Sequence, residues 1–539
     1  MNVSFAEEEN IIVVPPSDFT PDPRGIGCVL FDSMLKYQNN VAQIDGLNGK
    51  EDTYRSLLQR SVRVALALKK RGIQYGDVIC VFTYHHLDSC TPLLAALFLG
   101  AIIVGIDEDS KTSESAYVFS TVRPKIIFTI HESAKKIENA LKKTLQTAEI
   151  VVFDKNDMHT PFSEFLKPDV DEEYFFPVPA KVLTDTAIIF FTSGSTGLPK
   201  PICHNHDSIL YQNNNVLNAN YDWTVSLEYT SPFWTVFESV FIITTMLGNT
   251  RLIYNGFAKT KIWDFAKHKT SVLVLSTTEL LIACKIGRPK DLSLKHLKYV
   301  MAGGNVLSKE QIIAAKSLFS EAKFVFTYGQ SEVPGLLTMF NPMFKNDQKL
   351  MQEKINSVGL GCPGISYKIA SLDDETILGP NDIGELRIKT VFSLGLLYNT
   401  DSSDLFDNDG WLKTGDMAYY DEDKCFYIVG RAKEMFKYQC FRIIPSIIEK
   451  VLLLHTAVDD AVVIGVPHEI DGEHPMGLVL LKDEFKNISA KQIEKFVKRR
   501  VHFSHRLRAG VKILDAFVRT STNKVNKKVM RDLILEGKL

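Results

Sequence analysis

Residues 192–200 read Thr192-Ser193-Gly194-Ser195-Thr196-Gly197-Leu198-Pro199-Lys200 and directly follow the apolar run 187–191, AIIFF. Glycines let successive backbone N–H groups face one concavity, hydroxyls add hydrogen-bond donors, and a lysine brings a mobile positive charge. This composition indicates a loop that holds phosphate groups at the end of a strand. The spacing is not that of a Walker A loop, G-x-x-x-x-G-K-[ST]. Taken alone, the segment also fits a flexible Ser/Gly turn.

Around this loop, short apolar runs rich in β-branched residues alternate with segments of helical periodicity. Such alternation predicts an α/β fold in which doubly wound, mainly parallel sheets are covered on both faces. The most apolar stretch, 92–106, is too short to span a membrane and predicts a buried helix followed by a buried strand. The other strands predicted in this part of the chain are 78–84, 126–129, 149–153, 187–191, 271–275 and 323–327.

The length of 539 residues predicts more than one domain. Between about 358 and 429 the helical segments thin out and turns separate short strands, which predicts an antiparallel β subdomain. After Gly430 the alternation resumes on a smaller scale. We therefore expect a large N-terminal domain, 1–429, and a small α+β C-terminal domain, 430–539. In these regions we predict strands at 384–388, 426–429 and 461–465 and helices at 445–453, 488–500 and 525–535.

The chain carries 62 Lys plus Arg and 64 Asp plus Glu, a formal net charge of -2. No global basic field exists to bind nucleic acid or an anionic membrane, so any anion site must be local. Eight cysteines are scattered without a C-x-x-C pair, which favours reduced intracellular thiols over zinc ligands. The acidic first ten residues do not read as a secretory signal. The final Gly537-Lys538-Leu539 differs from the peroxisomal S-K-L in one position, so we expect a peroxisomal or cytoplasmic protein.

Further motifs follow the loop in a fixed order: Tyr328-Gly329-Gln330-Ser331-Glu332, then 410–416, GWLKTGD. They continue with Arg431-Ala432-Lys433 and Thr522-Asn523-Lys524. Together with the loop, these motifs resemble those of the adenylate-forming superfamily, which contains acyl- and aryl-CoA synthetases, beetle luciferases and the adenylation domains of peptide synthetases. The resemblance covers about residues 50–535.

The resemblance implies that the loop holds the β- and γ-phosphates of ATP and that Glu332 ligates Mg²⁺, a cation that prefers oxygen ligands. It also implies that Tyr328 stacks on adenine and that Asp416 accepts both ribose hydroxyls. Arg431 would contact the ribose or a phosphate. Lys524 would bridge the carboxylate and the α-phosphate, although the basic run it begins also fits a solvated surface. The implied catalytic residues are Lys524, Glu332 and Lys200, and the implied ATP-binding residues are Thr192, Ser193, Gly194, Ser195, Thr196, Gly197, Lys200, Gly303, Gly304, Tyr328, Gly329, Ser331, Asp416, Arg431 and Lys524.

In this family the C-terminal domain rotates before coenzyme A attacks the adenylate. The resemblance places the hinge at Gly430, where the family usually has Asp or Lys, and glycine is permissive enough to pivot. Lys437 and Cys440 fall in the thiolation segment, where Cys440 replaces a family glycine and fits a small filler better than a reactive thiol. Ile447 replaces a glutamate. These departures keep a second hypothesis open, a paralogue that binds nucleotide or acyl groups but turns over poorly.

The family places an acyl pocket along the helix that follows Pro232, and Trp234 stands where luciferases carry histidine. No acid lies in 233–236, which disfavours an amino-acid substrate. Apolar candidates favour a medium- or long-chain fatty acid first and a cinnamate-like acid second. Core packing is the plainer interpretation of an apolar helix stripe. For His204 and His206, spaced i, i+2, we expect capping or surface roles rather than a metal site. The implied acyl-pocket residues are Trp234, Phe237, Ala302, Gly303 and Val333.

Overall fold

The computed structural model describes residues 4–5, 10–154, 158–192, 199–218, 221–229, 231–257, 262–439, 441–485, 487–520 and 524–539. The chain divides into two compact units. The large unit takes the described residues of Ile12–Ser366 and Lys389–Gly410, together with 4–5. The small unit takes Tyr367–Ile388 and the described residues of Trp411–Leu539, together with 10–11.

The first sheet of the large unit has seven strands, and the pair next to the glycine-rich loop is antiparallel while the others are parallel. Its strands are buried on both sides, which is why they read as continuous apolar runs rather than as alternating ones. From edge to edge the strands are Lys200–Asn205, Thr186–Thr192, Ile102–Gly105, Val78–Phe82, Ile126–Thr129, Glu149–Val152 and Thr160–Pro161.

The second sheet also has seven strands, parallel except for an antiparallel pair at one edge. The chain builds outward in opposite directions from the neighbouring strands Val225–Glu228 and Val272–Ser276. Ligands in open α/β sheets bind outside the carboxyl ends of the strands at such a reversal. In order, the strands are Lys323–Phe326, Tyr299–Gly303, Val272–Ser276, Val225–Glu228, Thr250–Ile253, Val41–Asp45 and Glu51–Thr53.

Helices cover both faces of the first sheet. In the strand Val78–Phe82, Ile79 and Val81 join the hydrophobic cluster that contains the helix Thr91–Leu99. Val78 and Cys80 join the cluster built on the opposite face. The doubly wound prediction is therefore confirmed. The helices of the large unit are Ile26–Lys36, Tyr54–Lys70, Thr91–Leu99, Thr112–Val122, His131–Thr144, His206–Leu217, Thr235–Leu247, Thr277–Ile286, Lys309–Leu318 and Lys345–Glu353.

The small unit contains antiparallel strands followed by a five-stranded sheet packed with helices. The first group is Ile377–Leu378, Gly384–Thr390, Leu412–Tyr420 and Phe426–Arg431, beside Ile365–Ala370. The five-stranded sheet of the small unit consists of Phe436–Tyr438, Phe441–Ile443, Val458–His468, Gly472–Leu481 and Val511–Ile513. The helices of this unit are Pro445–Leu453, Ala490–Lys498 and Lys527–Leu535. The two-residue strands Ser4–Phe5 and Ile12–Val13 belong to the same sheet as the first group, and Thr338–Met339 pairs with Leu360–Gly361. Among the helices described, none combines the length and apolarity that a membrane span requires.

Most predicted elements are found within a few residues of their predicted bounds, including the buried helix and strand of 92–106. The ten-residue strand Gly472–Leu481 was not predicted, because Gly472, Pro475 and Gly477 break its apolar pattern. It forms because it pairs along its length with Val458–His468. The domain boundary at Gly430 stays a prediction.

Candidate functional site

The glycine-rich loop joins the strands Thr186–Thr192 and Lys200–Asn205, and Thr192 pairs directly with Lys200 in their antiparallel register. Both of these residues are half-buried. The predicted phosphate-binding residues between them, Ser193, Gly194, Ser195, Thr196 and Gly197, lie outside the described residues.

Two further predicted segments lie at the carboxyl edge of the second sheet. Gly303 ends the strand Tyr299–Gly303, whose neighbour Lys323–Phe326 leads into Tyr328. A Cβ on Gly303 would lie 2.9 Å from Oγ1 of Thr327 and 3.0 Å from its carbonyl oxygen. Gly304 has φ 104°, a backbone conformation that favours glycine. The close approach of Thr327 thus requires glycine at position 303, and the backbone conformation favours glycine at position 304, even without a ligand.

The segment Tyr328–Val333 forms a tight loop after this edge. The N–H of Tyr328 donates to the carbonyl of Thr338 at 3.2 Å, and the carbonyl of Tyr328 accepts the N–H of Thr338 at 3.1 Å. A Cβ on Gly329 would lie 2.7 Å from the carbonyl oxygen of Gly335, so the loop closes only around glycine. Tyr328 and Val333 are buried, whereas Glu332 is half-buried.

The structure adds a buried pair that the sequence analysis missed. His204 and Glu238 are 0% and 1% exposed, and Nδ1 of His204 lies 2.6 Å from Oε2 of Glu238. On its other side, Nε2 of His204 lies 2.8 Å from the carbonyl oxygen of Ser331, the residue before Glu332. The expected surface or capping role of His204 is therefore wrong, because both of its nitrogens are engaged inside the large unit.

These contacts determine the charge state of His204. Burial opposes the charged imidazolium, but the Glu238 carboxylate, the Ser331 carbonyl and the charge of Glu332 outweigh it and raise the pKa of His204. Oε1 of Glu238 has no hydrogen-bond partner among the residues described. A cavity of about 10 Å³ lies beside Glu238, about the room that one water molecule needs. A water there would supply the missing donor.

His206, two residues further, is also buried rather than exposed. It is the first residue of the helix His206–Leu217, while Asn205 caps that helix by accepting the N–H of Ser208 at 2.8 Å. Nδ1 of His206 accepts the N–H of Ile26 at 3.3 Å and so joins two helices. His204 and His206 therefore contact different partners.

The predicted acyl-pocket residues have different surroundings. Trp234 is half-buried, precedes the helix Thr235–Leu247 and lies 5.5 Å, ring to ring, from Phe233. Phe237 belongs to the core, where it stacks on Phe241 at 5.6 Å and lies 5.1 Å from the guanidinium of Arg251. Core packing therefore accounts for Phe237. The other members, Ala302, Gly303 and Val333, lie within or directly after the edge segments described above, and the first and last are buried.

In the small unit, Asp416 and Arg431 face each other across the strands Leu412–Tyr420 and Phe426–Arg431. Nε of Arg431 lies 3.0 Å from Oδ1 of Asp416, whose side chain is buried while that of Arg431 is exposed. Lys524 is exposed, and its N–H donates to Oγ1 of Thr520 at 3.2 Å. Loss of hydration and then the charge of Arg431 lower the pKa of Lys524, while Asp416 acts in the opposite direction. The three predicted nucleotide-site residues of this unit therefore interact electrostatically.

The basic run that begins at Lys524 is not a uniformly solvated surface. Nζ of Lys527 lies 3.0 Å from Glu449 and 2.5 Å from Glu434, whereas Lys528 is exposed. The solvated-surface alternative is therefore wrong for Lys527.

The hinge and thiolation residues are only partly accounted for. Gly430 lies in the strand Phe426–Arg431, and a Cβ there would lie 3.1 Å from Oγ of Ser446 and 3.2 Å from Cγ2 of Ile444. A close approach thus favours glycine at this position. Lys437 is exposed in the strand Phe436–Tyr438, and Cys440 lies outside the described residues. Their roles stay predictions.

Comparison with known proteins agrees with the motifs. Residues 30–394 match AMP-binding enzymes, and residues 447–524 match the AMP-binding enzyme C-terminal domain. The luciferin 4-monooxygenase of Photuris pensylvanica is 28% identical over 98% of this chain and 99% of that protein. The peroxisomal OPC-8:0-CoA ligase 1 of Arabidopsis thaliana is 26% identical over 99% of this chain and 96% of that protein.

Among solved structures, the luciferase-like enzyme from the nonluminescent mealworm Zophobas morio is 36% identical. The superposition covers 79% of this chain and 100% of the mealworm enzyme, with a TM-score of 0.74. The family match extends over more than half of the chain and includes both the glycine-rich loop and the segment Tyr328–Glu332. The chain therefore belongs to the adenylate-forming family of AMP-binding enzymes.

Proposed function

We propose that this protein activates a hydrophobic carboxylic acid with ATP and transfers the acyl group to coenzyme A. In the first step a carboxylate oxygen attacks the α-phosphorus of ATP and pyrophosphate leaves. In the second step the thiol sulfur of coenzyme A attacks the acyl carbon, its proton goes to solvent, and AMP leaves. Cations and fixed dipoles stabilise the charge that develops on phosphorus in the first step.

One observation carries the proposal. Gly303-Gly304, Tyr328 and Glu332 follow adjacent parallel strands at one carboxyl edge, and Trp234 follows the strand at which the sheet order reverses. A nucleotide and an acyl group bound at that edge would lie side by side, which is what transfer between them requires. In the small unit, Asp416 and Lys524 would supply the ribose acceptor and the mobile cation.

Glu332 fits a magnesium ligand, because its half-buried carboxylate offers the hard oxygen donors that Mg²⁺ prefers. The ion would neutralise phosphate charge when ATP binds. Lys200, which begins its strand beside Thr192, would supply a second positive charge for the same phosphates.

Buried Val333 and half-buried Trp234 support a hydrophobic acid, since each methylene moved from water into an apolar site contributes about 0.8 kcal/mol. Glu238, the acid nearest to Trp234 in the helix that follows it, is 1% exposed, and the cavity beside it has room for only about one water molecule, so we do not expect it to hold a substrate ammonium. We propose a medium- or long-chain fatty acid first. The paired rings of Phe233 and Trp234 favour a cinnamate-like acid as the second candidate.

ATP–pyrophosphate exchange by the purified protein with Mg²⁺ tests the first step across fatty, cinnamic and amino acids. Addition of coenzyme A tests the second step through AMP release and thioester formation. We expect exchange and thioester with fatty acids. Exchange without thioester would contradict the second step and direct attention to Gly430 and the thiolation segment. Tight ATP binding without exchange for any acid would favour the poorly active paralogue instead.

Location can be tested separately. The Arabidopsis relative is named as peroxisomal, and we propose the same compartment here on the basis of Gly537-Lys538-Leu539. A fluorescent protein fused before the full chain should enter peroxisomes, and the same fusion with Leu539→Asp should stay in the cytosol. Identical distributions of the two fusions would contradict this proposal.

A further inference from the structure

Two histidines and an aspartate meet at the turn of the long hairpin in the small unit. His468 ends the strand Val458–His468, Asp471 lies in the turn, and His474 lies near the start of Gly472–Leu481. One potential ligand atom from each side chain lies within 4.8 Å of the other two. None of the three is needed for the function proposed above.

The spacing of these atoms is close to that of a metal site. Oδ2 of Asp471 lies 2.8 Å from Nε2 of His474 and 3.6 Å from Nδ1 of His468. Zinc bonds to nitrogen and oxygen of about 2.0–2.2 Å in a tetrahedron place neighbouring ligand atoms roughly 3.3–3.6 Å apart. Small side-chain rotations, together with release of the proton that Nε2 of His474 donates to Oδ2 of Asp471, would therefore bring all three donors onto one ion.

The protonation of the donors also suits a cation. The backbone N–H groups of Asp471 and Ile470 donate to Nδ1 of His468 at 3.2 and 3.4 Å, so this nitrogen carries a lone pair, and an ion bound there would replace these two hydrogen bonds. The two imidazole rings stack at 3.8 Å with 17° between their planes, an arrangement that suits neutral rings better than two positive ones. An ion bound by the two imidazoles in their neutral form and by the Asp471 carboxylate would meet a ligand set with a net charge of -1, which suits a divalent cation.

A second layer of contacts holds the aspartate. Nε2 of Gln439 donates to Oδ1 of Asp471 at 2.8 Å, and the N–H of Gln439 donates to the carbonyl of Asp471 at 2.7 Å. The ring of Tyr438 lies 5.6 Å from that of His474. Hydrogen bonds of this kind orient the ligating groups in metal sites. They also connect the turn to the segment that carries Lys437.

We propose that His468, Asp471 and His474 bind one divalent transition-metal ion of the zinc class at the surface of the small unit. Imidazole donors favour zinc, nickel or copper over magnesium and calcium, which prefer oxygen. His468 is exposed, so the ion reaches the site from solvent. The bound ion holds the turn against Gln439 and thereby restrains the adjoining segment, whose predicted role is in thiolation.

The test uses the full-length protein, freed of metal with a chelator and then dialysed against Zn²⁺. We expect one tightly bound equivalent, which excess Mg²⁺ fails to displace, and a higher midpoint of thermal unfolding when Zn²⁺ is present. His468→Gln, Asp471→Asn and His474→Gln should each weaken binding by about tenfold or more. His296→Gln, which replaces an exposed histidine of the large unit, is the matched control and should bind like the parent protein.

Co²⁺ substitution gives an independent measurement, because tetrahedral Co²⁺ absorbs visible light far more strongly than octahedral Co²⁺. Intense absorption in the parent protein that is lost in the three ligand variants would support the site. Binding that is equal in the ligand variants and the parent protein would overturn the proposal, and so would the absence of Zn²⁺ binding. The thermal midpoint of each variant without metal checks that it folds, so its loss of metal cannot be mistaken for unfolding. No ATP or acyl substrate is required, so the result is independent of the proposed enzymatic function.

Discussion

Replacing His204 with leucine tests whether the buried pair with Glu238 stabilises the large unit. The substitution removes the 2.6 Å partner of a carboxylate that is only 1% exposed and whose other oxygen has no partner among the described residues. Removing one member of a buried ion pair costs about 3–5 kcal/mol, because the remaining charge is buried without compensation. We expect a loss of this size for His204→Leu.

The double variant His204→Leu/Glu238→Leu separates the charge effect from packing. Replacing a buried ion pair with apolar residues is often close to neutral, so most of the loss should be recovered. A remainder of about 1–3 kcal/mol is expected, because the carbonyl of Ser331 still lacks the donor that Nε2 of His204 provides.

Urea unfolding followed by tryptophan fluorescence measures these changes, since Trp223, Trp234 and Trp263 lie in the large unit. Hydrogen exchange of peptides covering 200–205 and 235–247 reports the local effect. Ile202→Val is the matched control in the same strand and should cost about 0.5–1.5 kcal/mol. A cost below about 1 kcal/mol for His204→Leu, or a double variant as unstable as the sum of the single variants, would refute the reasoning.

The pair should also make stability depend on pH. Because the pKa of His204 is raised in the folded protein, its contribution is fully present below the unfolded value of 6.5 and is lost as the pH rises through the folded value. In Glu238→Gln, the amide can donate to an uncharged imidazole, so the hydrogen bonds remain while the charge pair is removed. The stability of this variant should therefore change less than that of the parent protein between neutral and alkaline pH. Parallel pH profiles would contradict a charged His204.

Three further predictions concern the proposed chemistry. Lys524→Ala should lower ATP–pyrophosphate exchange about 10²- to 10³-fold, as expected for loss of one transition-state charge contact, and full exchange would exclude the assigned role. Arg431→Gln should move the alkaline limit of ATP–pyrophosphate exchange to higher pH. The charge of Arg431 lowers the pKa of Lys524, so without Arg431 the Lys524 ammonium stays protonated to a higher pH. An unchanged alkaline limit would contradict this prediction. Gly303→Ala should lower the thermal midpoint even without substrate, because its methyl would lie 2.9 Å from Thr327, and an unchanged midpoint would show that only a ligand requires the glycine.

The strands and helices that were predicted well have patterns decided by burial. The run 126–129 is a strand with these same bounds, and all four of its residues are buried. The helix Pro445–Leu453 also has its predicted bounds, because proline fits its first turn and the apolar residues recur at helical spacing. In both cases local propensity and tertiary packing favour the same structure.

The strand Gly472–Leu481 shows what a local pattern cannot supply. Glycine and proline within it lower its strand propensity, but pairing with Val458–His468 over ten positions outweighs that cost. The hairpin also brings His468 and His474 together, six positions apart. Without the strand, the sequence offers no reason to place the two rings on one another.

The candidate site also has one part that the sequence could predict and one part that it could not. Tyr328–Glu332 could be found from its motif, because its loop needs unusual residues in consecutive positions. His204 and Glu238 are 34 positions apart, on a strand and on a helix, and each alone reads as a polar residue in an apolar run. Only the distance between the two side chains shows that they form a buried ion pair. Two isolated polar residues in buried elements were the available signal for this pair.

The same pair affects the proposed phosphate site through the register of one strand. Lys200 and His204 lie four positions apart in the edge strand Lys200–Asn205 and therefore on the same face. A slip of one residue would move both side chains to the opposite face and would break the hydrogen bonds that Pro201 and Cys203 make with residues 396–398. Because His204 binds Glu238 and the Ser331 carbonyl, a slip would leave two buried groups without partners. We infer that this cost fixes the register of the strand and therefore the face on which Lys200, the proposed phosphate-binding lysine, lies.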